Sequence, residues 1–89
     1  MACPNLTDEE IKTTVIAAVK TYHPGHTIDE DTNFASDLGE EGKAKRKYFA
    51  LIRKDVMDDG CQFKASVGSF DKCKTVKDMI AATQKAVTC

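Results

Sequence analysis

The chain lacks several features that would set it apart from ordinary globular proteins. Its 89 residues include no tryptophan, only two prolines and five glycines. No uninterrupted apolar run approaches the roughly 18 residues that a membrane-spanning helix needs, so we predict no membrane partner. The first residues, Met1 to Asn5, lack the apolar stretch of a secretory signal. We therefore expect one domain, residues 1–89, in the cytoplasm.

Paired cysteines with metal-ligand spacing are also missing. The four cysteines are spaced too irregularly to indicate a disulfide framework; they are Cys3, Cys61, Cys73 and Cys89. We expect reduced thiols, with a Cys61–Cys73 bridge as the alternative. His23 and His26 flank a Pro-Gly turn, and together with the cysteines they match no zinc pattern. The sequence therefore predicts no metal site.

A catalytic constellation is absent as well. No serine or cysteine stands in a recognisable arrangement with a histidine. A chain of 89 residues builds one modest core and leaves little room for a cleft. We predict that the protein is not an enzyme.

What the sequence does contain is a division of charge at residue 42. Residues 1–42 hold nine acids against two bases, a net charge of −7, and residues 43–89 hold five acids against eleven bases, a net charge of +6. Just after the division, four bases crowd into one helical turn: Lys43, Lys45, Arg46 and Lys47. Bases are disfavoured in the first turn of a helix, where the macrodipole is positive. A local rule broken in this way often marks a functional site.

The first helix has clear boundaries. Thr7 and Glu10 have the spacing of a capping box, and Pro24-Gly25 ends the segment. Leu6 and Ile11 have the spacing of a hydrophobic staple. The apolar stripe has helical spacing and consists of Ile11, Val15, Ala18, Val19 and Tyr22. The sequence predicts a helix over Asp8–Tyr22.

A long connection, residues 23–41, leads to a second helix predicted from Gly42 to Met57. Three apolar residues, Ile28, Phe34 and Leu38, indicate that the connection packs on the core. The inner face of the second helix is predicted to carry Ala44, Tyr48, Leu51, Ile52 and Val56, with Phe49 beside them. Its outer face carries six bases: Lys43, Lys45, Arg46, Lys47, Arg53 and Lys54.

A short helical turn between Ser66 and Lys72 and a last helix complete the pattern. The last helix is predicted to have Thr75 as its N-cap. Its apolar stripe consists of Val76, Met79, Ile80, Thr83 and Val87. The expected fold is all-α: an up-down bundle of three main helices plus one short helix.

Three stretches resemble the acyl carrier protein family. Asp31-Thr32-Asn33-Phe34 and Asp37-Leu38-Gly39 are similar to the loop that enters the family's second helix. Lys74-Thr75-Val76-Lys77-Asp78-Met79-Ile80 is similar to the start of its last helix. Together with the predicted helix lengths, the resemblance covers about residues 8–87.

In this family the Asp-Leu-Gly is followed after two residues by a serine that carries the phosphopantetheine arm. Here Gly42 stands where the resemblance implies that serine, and Lys43 stands where a leucine is usual. Glycine offers no nucleophilic oxygen, and Ser36 lies before the motif, where we interpret it as a loop or capping residue. No phosphopantetheine is therefore expected. The alternative role of Gly42 is that of a helix N-cap.

These observations favour a non-enzymatic, carrier-protein-like domain that acts through protein contacts. In the family the second helix is acidic and docks on basic surfaces, so the six bases here predict an acidic protein partner. The alternative is that they form a solvated helix face with no binding role. We expect a monomer.

Two other functions stay open. One is a working acyl or peptidyl carrier in fatty-acid or polyketide metabolism, modified at another residue. The other is a small basic-helix module for nucleic acid or an acidic partner. Nucleic acid is the weaker prediction, because the acidic N-terminal half would repel phosphate.

Overall fold

The computed structural model describes residues 3–88, and most of them are helical. The elements in chain order are α1 (Asp8–Tyr22), α2 (Phe34–Leu38), a first 3₁₀ turn (Gly42–Lys45), α3 (Arg46–Asp58), β1 (Gln62–Phe63), a second 3₁₀ turn (Val67–Phe70), α4 (Val76–Ala86) and β2 (Val87–Thr88). Within residues 3–88, no helix combines the length and apolar character that crossing a bilayer requires. Two features of the sequence lie outside the described residues: the start of the chain at Met1 and Ala2, and the predicted thiol of Cys89.

Helix α1 has the predicted bounds, and its start shows why. The Thr7 hydroxyl accepts a hydrogen bond from the Glu10 amide over 3.2 Å, and Glu10 Oε1 accepts one from the Thr7 amide over 3.0 Å. The capping box is therefore confirmed, and its hydrogen bonds hold the pKa of Glu10 below the usual value. Ile11 and Val15 of the stripe are fully buried, whereas Tyr22, at its end, is 46% exposed.

The core lies where α1 packs against both α3 and α4. The largest fully buried side chains come from all parts of the chain and include Ile11, Phe34, Tyr48, Ile52, Phe70 and Met79. Burial of these side chains is the main source of stability, because apolar area removed from water is the dominant favourable term in folding. The predicted stripe of α4 is buried throughout, and Thr75 is its N-cap as predicted.

The long connection between α1 and α3 is packed on the core, as predicted. Its backbone is bound to the start of α4: the Val76 amide donates to the Thr32 carbonyl over 3.0 Å, and the Phe34 amide donates to the Lys74 carbonyl over 2.9 Å. The connection also contains α2, which the sequence did not predict. The side chain of Asn33 caps this short helix by accepting from the amide of Ser36. Ser36 is therefore a capped residue and not a capping one.

The predicted second helix is divided into two parts. Residues Gly42–Lys45 form a 3₁₀ turn, and the α-helix begins only at Arg46 and ends at Asp58. A 3₁₀ turn has 3.0 residues per turn, so residues three apart share a face. Lys45, three residues before buried Tyr48, therefore takes the inward position, and Ala44 is exposed. The sequence predicted the reverse, with Ala44 on the inner face and Lys45 on the outer face.

A two-stranded sheet corrects the expectation of an all-α fold. β1 and β2 are antiparallel, and Gln62 pairs with Thr88 and Phe63 with Val87. Val87 is buried as expected, but it lies past the end of α4. The second 3₁₀ turn, Val67–Phe70, confirms the short helical turn predicted between residues 66 and 72.

Candidate functional site around Gly42

The motif loop Asp37-Leu38-Gly39 ends α2 and turns the chain toward Gly42. Asp37 Oδ2 accepts a hydrogen bond from the Asn33 amide over 2.8 Å, and Leu38 packs against the core. Gly39 caps α2 with a φ of +67°, a left-handed conformation that favours glycine. Each of the three residues therefore has a structural role here.

Gly42 is exposed and opens the first 3₁₀ turn with a φ of +53°. Nothing lies within 4 Å of the place that a Cβ would occupy. The position therefore has room for a side chain, but its backbone conformation favours glycine. The N-cap of this turn is Glu41 and not Gly42. The prediction that Gly42 is the N-cap is therefore wrong.

Glu40 points into the protein and is 5% exposed. Its Oε1 accepts a hydrogen bond from the Tyr48 hydroxyl over 2.6 Å and lies 3.3 Å from His23 Nε2. His23 Nε2 is also 2.8 Å from the Tyr48 oxygen. Lys47 Nζ forms an ion pair with Glu40 Oε2. A histidine, a tyrosine and a lysine thus surround one carboxylate.

The surroundings of Glu40 decide its charge. Burial alone raises the pKa of Glu40, but hydrogen bonds from Lys47 and Tyr48 outweigh burial and leave the pKa below its usual value. Burial and the hydrogen bond to Glu40 raise the pKa of Tyr48. At neutral pH the group therefore contains a carboxylate, an ammonium and a neutral phenol. Their contacts fix the segment before Gly42 against α3.

Three of the six bases predicted for partner binding are engaged within the protein. Lys45 is 4% exposed, and its ammonium donates to the Cys73 carbonyl. Arg46 donates two hydrogen bonds to Asp71, over 3.2 Å and 2.8 Å. Lys47 pairs with the buried carboxylate of Glu40. Its ammonium also lies over the ring of Tyr22, 4.8 Å from the ring centroid. The prediction of an outer face with six bases is therefore wrong at Lys45.

The other three bases, Lys43, Arg53 and Lys54, are exposed. Lys54 forms a 2.9 Å ion pair with Asp58 one turn further on, and such exposed pairs contribute little. Lys43 and Arg53 make no ion pair within residues 3–88. Met57 follows Arg53 by one turn and is 49% exposed. Free positive charge and an exposed apolar side chain therefore lie on the same helix face.

A cavity of about 560 Å³ adjoins Gly42. Three segments line it: the start of α2, the segment from Glu40 to Lys45, and the segment from Asp71 to Lys74. The second and third segments are joined at its wall by the hydrogen bond from Lys45 to the Cys73 carbonyl. No sequence pattern indicates this cavity, because the segment from Asp71 to Lys74 is more than 25 residues from the other two in the chain.

The cysteines differ from the expectation of reduced thiols. Cys3 is disulfide-bonded to Cys61, across a sequence separation of 58. Cys73 is a buried free thiol whose pKa is raised by burial. Both the reduced state of Cys3 and Cys61 and the alternative Cys61–Cys73 bridge are therefore wrong. The irregular spacing gave no signal for a bridge that only the fold brings together.

The two histidines are neighbours and their rings meet edge to face. The ring centroids of His23 and His26 are 5.5 Å apart. Within the part of the chain that the structure describes, no group of three or more histidine, cysteine or acidic side chains has an arrangement that could hold a metal ion. His23 instead contacts Tyr48 and Glu40.

Sequence reasoning missed the roles of Asn33, His23 and Glu40. Asn33 has a signal, because asparagine is a preferred N-cap residue and an acid follows four positions later. No sequence pattern distinguishes Glu40, since it is one of several acids in the same stretch. No pattern links His23 to Glu40, because only the long connection brings them together.

Comparison of the chain with protein-family models, with curated proteins and with solved structures finds no match. The function is therefore inferred from the residues around Gly42 and on α3.

Proposed function

We propose that this protein is a non-enzymatic, acyl-carrier-protein-like binding module without a phosphopantetheine arm, which docks an acidic protein partner through α3. The order of its elements supports the likeness. A long first helix, a packed connection, a central helix, a short turn and a last helix follow one another, and α1 contacts both α3 and α4. This agrees with the up-down bundle that the resemblance implies, with a small sheet added.

Gly42 is the observation that carries the proposal. At the place where the resemblance implies a serine, the chain has no side-chain oxygen to form a phosphodiester bond. The φ of +53° shows that the backbone itself is adapted to glycine there. A serine could be accommodated in space but not without backbone strain. At this position the chain thus combines the absence of a side-chain oxygen with a backbone conformation that favours glycine.

The docking surface is the exposed stripe of α3, formed by Ala50, Arg53 and Met57, together with Lys43 of the first 3₁₀ turn. Two unpaired bases favour a partner of negative charge, because complementary charge speeds association and selects partners. Met57 supplies an exposed apolar contact of the kind that is enriched in interfaces. This surface is smaller than the six bases that the sequence predicts. Of the bases left out, Lys45, Arg46 and Lys47 hold the protein's own structure, and Lys54 is paired with Asp58.

The disulfide indicates the type of compartment in which the protein binds its partner. Disulfides such as Cys3–Cys61 form and persist in oxidising compartments and are rare in the cytoplasm. The proposal therefore places the module in an oxidising compartment and not in the cytoplasm that the sequence predicts. The expectation of a monomer is kept.

Charge reversal tests the docking surface. The variant Lys43→Glu/Arg53→Glu should lose the protein that the wild type recovers from nuclease-treated extract of the source cells. The matched control is Lys20→Glu/Lys77→Glu, which changes the net charge equally at exposed residues outside the docking surface. The control should recover the same partner.

Two outcomes would contradict the proposal. One is equal recovery by both variants, which would leave the docking surface without a role. The other is a wild-type protein that recovers nucleic acid from untreated extract and no protein, with binding that falls steeply as salt is raised. That result would support the basic-helix module for nucleic acid instead.

A further inference from the structure

We propose that the cavity beside Gly42 is a binding site for a small phosphorylated molecule, a phosphate monoester, and that buried Lys45 supplies its central positive charge. This site adjoins the docking surface only at Lys43, which follows Gly42 of the cavity lining. Arg53 and Met57 of that surface do not line the cavity.

Lys45 is an unusual residue to find in the interior. It is 4% exposed and lines the cavity. Within residues 3–88, its ammonium makes one hydrogen bond, to the Cys73 carbonyl, and has no carboxylate within ion-pair distance. The ammonium also lies 5.6 Å from the centre of the Phe34 ring, and from beyond ion-pair distance it attracts the carboxylate of Asp71, which is itself bonded to Arg46. A lysine has three N–H donors, so the ammonium is not saturated by the protein.

A buried charge in this state indicates a missing counter-ion. Removing an ammonium from water is costly, and buried charges in proteins are normally paired with an opposite charge. One carbonyl is a weak substitute for an anion. An anionic ligand in the cavity would pair with the ammonium and accept its unused hydrogen bonds.

The other charges at the cavity favour an anion of more than one charge. The acids Glu40 and Asp71 line the cavity, but each is paired with a base outside its lining, Lys47 and Arg46. Counting these partners, five bases face three acids: Lys45, Arg46, Lys47, Lys72 and Lys74 against Glu40, Glu41 and Asp71. Among the lining side chains that form no ion pair within residues 3–88, Lys45, Lys72 and Lys74 outnumber Glu41 by two, which suits a phosphate monoester, close to a dianion at neutral pH.

Two further carboxylates at this end of the protein are already occupied. Asp37 accepts from the Asn33 amide, and Asp78 accepts from the amides of Lys74 and Thr75. Backbone amides hold both carboxylates, which keep their negative charge, and Asp78 also attracts Lys74. Neither carboxylate forms an ion pair with Lys45.

The volume sets the class of ligand. The cavity of about 560 Å³ falls in the range of small-molecule sites, about 300–1,000 Å³. An inorganic phosphate ion would fill only a small part of it. A phosphorylated organic molecule would place its phosphate at Lys45 and its remaining atoms along the walls formed by α2 and the segment from Asp71 to Lys74.

The test is a titration of the isotope-labelled protein with glycerol 3-phosphate at constant ionic strength, followed by the amide signals of Lys45 and Cys73. Wild type should show saturable shifts with a Kd below about 10 mM, and glycerol should show none. Lys45→Met removes the charge and keeps much of the volume, and we expect its affinity to fall about 30-fold or more. Lys20→Met, at an exposed residue of α1 outside both the cavity lining and the docking surface, should bind as wild type does.

A second variant keeps the proposal open to refutation if Lys45→Met does not fold. Lys72→Gln/Lys74→Gln changes two exposed side chains of the lining and should also weaken binding. The absence of saturable shifts in wild type would overturn the proposal, as would equal affinity in wild type and the folded lysine variants. Arg53→Glu alone, at a residue outside the cavity lining, should weaken partner docking and leave phosphate binding unchanged, so failure of docking and failure of phosphate binding are separate results.

Discussion

The Tyr48 hydroxyl donates a 2.6 Å hydrogen bond to Glu40 Oε1 in the interior of the protein. This bond joins the segment before Gly42 to α3, which carries the proposed docking surface. Lys47 pairs with the other oxygen of the same carboxylate. The geometry of the candidate site therefore depends on one buried acid, and its replacement should have a characteristic pH dependence.

Replacing Glu40 with glutamine should lower the free energy of unfolding at pH 7 by about 1–3 kcal/mol, because the change removes a buried charge from its partners. The folded-state pKa of Glu40 lies below its usual value. The contribution of Glu40 to stability is therefore fully present above the unfolded-state pKa, about 4.3. It is lost as the pH falls through the folded-state pKa. Urea unfolding should give free energies of unfolding for wild type and variant that converge once the pH is below the folded-state pKa of Glu40.

Glu41→Gln is the control for this experiment, because Glu41 is adjacent and exposed. It should change stability by no more than about 0.5 kcal/mol. A wild-type-to-Glu40→Gln difference that stays constant into acid would contradict the assigned role of the carboxylate.

Reversing charge at two positions of α3 should have different effects on stability. Lys47→Glu places a second carboxylate beside buried Glu40, and we expect a loss of about 2–4 kcal/mol. Arg53→Glu changes an exposed residue with no ion pair among residues 3–88 and should cost less than about 0.5 kcal/mol. Equal melting temperatures for the two variants would show that the pair between Lys47 and Glu40 contributes nothing. For the same reason, reversal of all six predicted bases would test folding more than docking.

Reduction of the Cys3–Cys61 disulfide should destabilise the protein. The bond closes a long loop, with a sequence separation of 58, and we expect a loss of about 2–4 kcal/mol, chiefly because the unfolded chain gains freedom. Thermal unfolding with and without a reductant measures the effect. The Cys3→Ser/Cys61→Ser variant should not respond to reductant, whereas Cys73→Ser should respond as wild type does. Alkylation of both Cys3 and Cys61 in the folded, unreduced protein would contradict the bond.

Gly42→Ser should cost about 1–2 kcal/mol, because its φ of +53° is a left-handed conformation that L side chains disfavour. Gly25→Ser is the matched control. Gly25 has open space and a φ outside the left-handed region, so its replacement should change stability by less than about 0.5 kcal/mol. Equal costs at the two positions would refute the assigned backbone role of Gly42.

The elements that follow from local patterns could be predicted from the sequence. The capping box and stripe of α1 and the N-cap of α4 depend on residues only three or four apart, and the structure confirms these predictions. The start of α3 was misplaced because no side chain caps it. Without a cap, nothing in the sequence distinguishes a 3₁₀ turn from the first turn of an α-helix.

The parts of the site that depend on distant residues could not be predicted. The sheet pairs Phe63 with Val87, the disulfide joins Cys3 to Cys61, and the cavity lies between the segments of Gly42 and Cys73. Each contact is formed by the packing of helices and not by spacing in the chain. The reversal of Ala44 and Lys45 shows the consequence: a one-residue change in helical phase moved a base from the expected surface into the interior.

The central claim is that no prosthetic group is attached at or near Gly42. The most direct test is the intact mass of the protein purified from its source, and again after incubation with coenzyme A and a promiscuous phosphopantetheinyl transferase. We predict the mass of the polypeptide with one disulfide in both samples. A gain of one phosphopantetheine in either sample would show a working carrier and contradict the account.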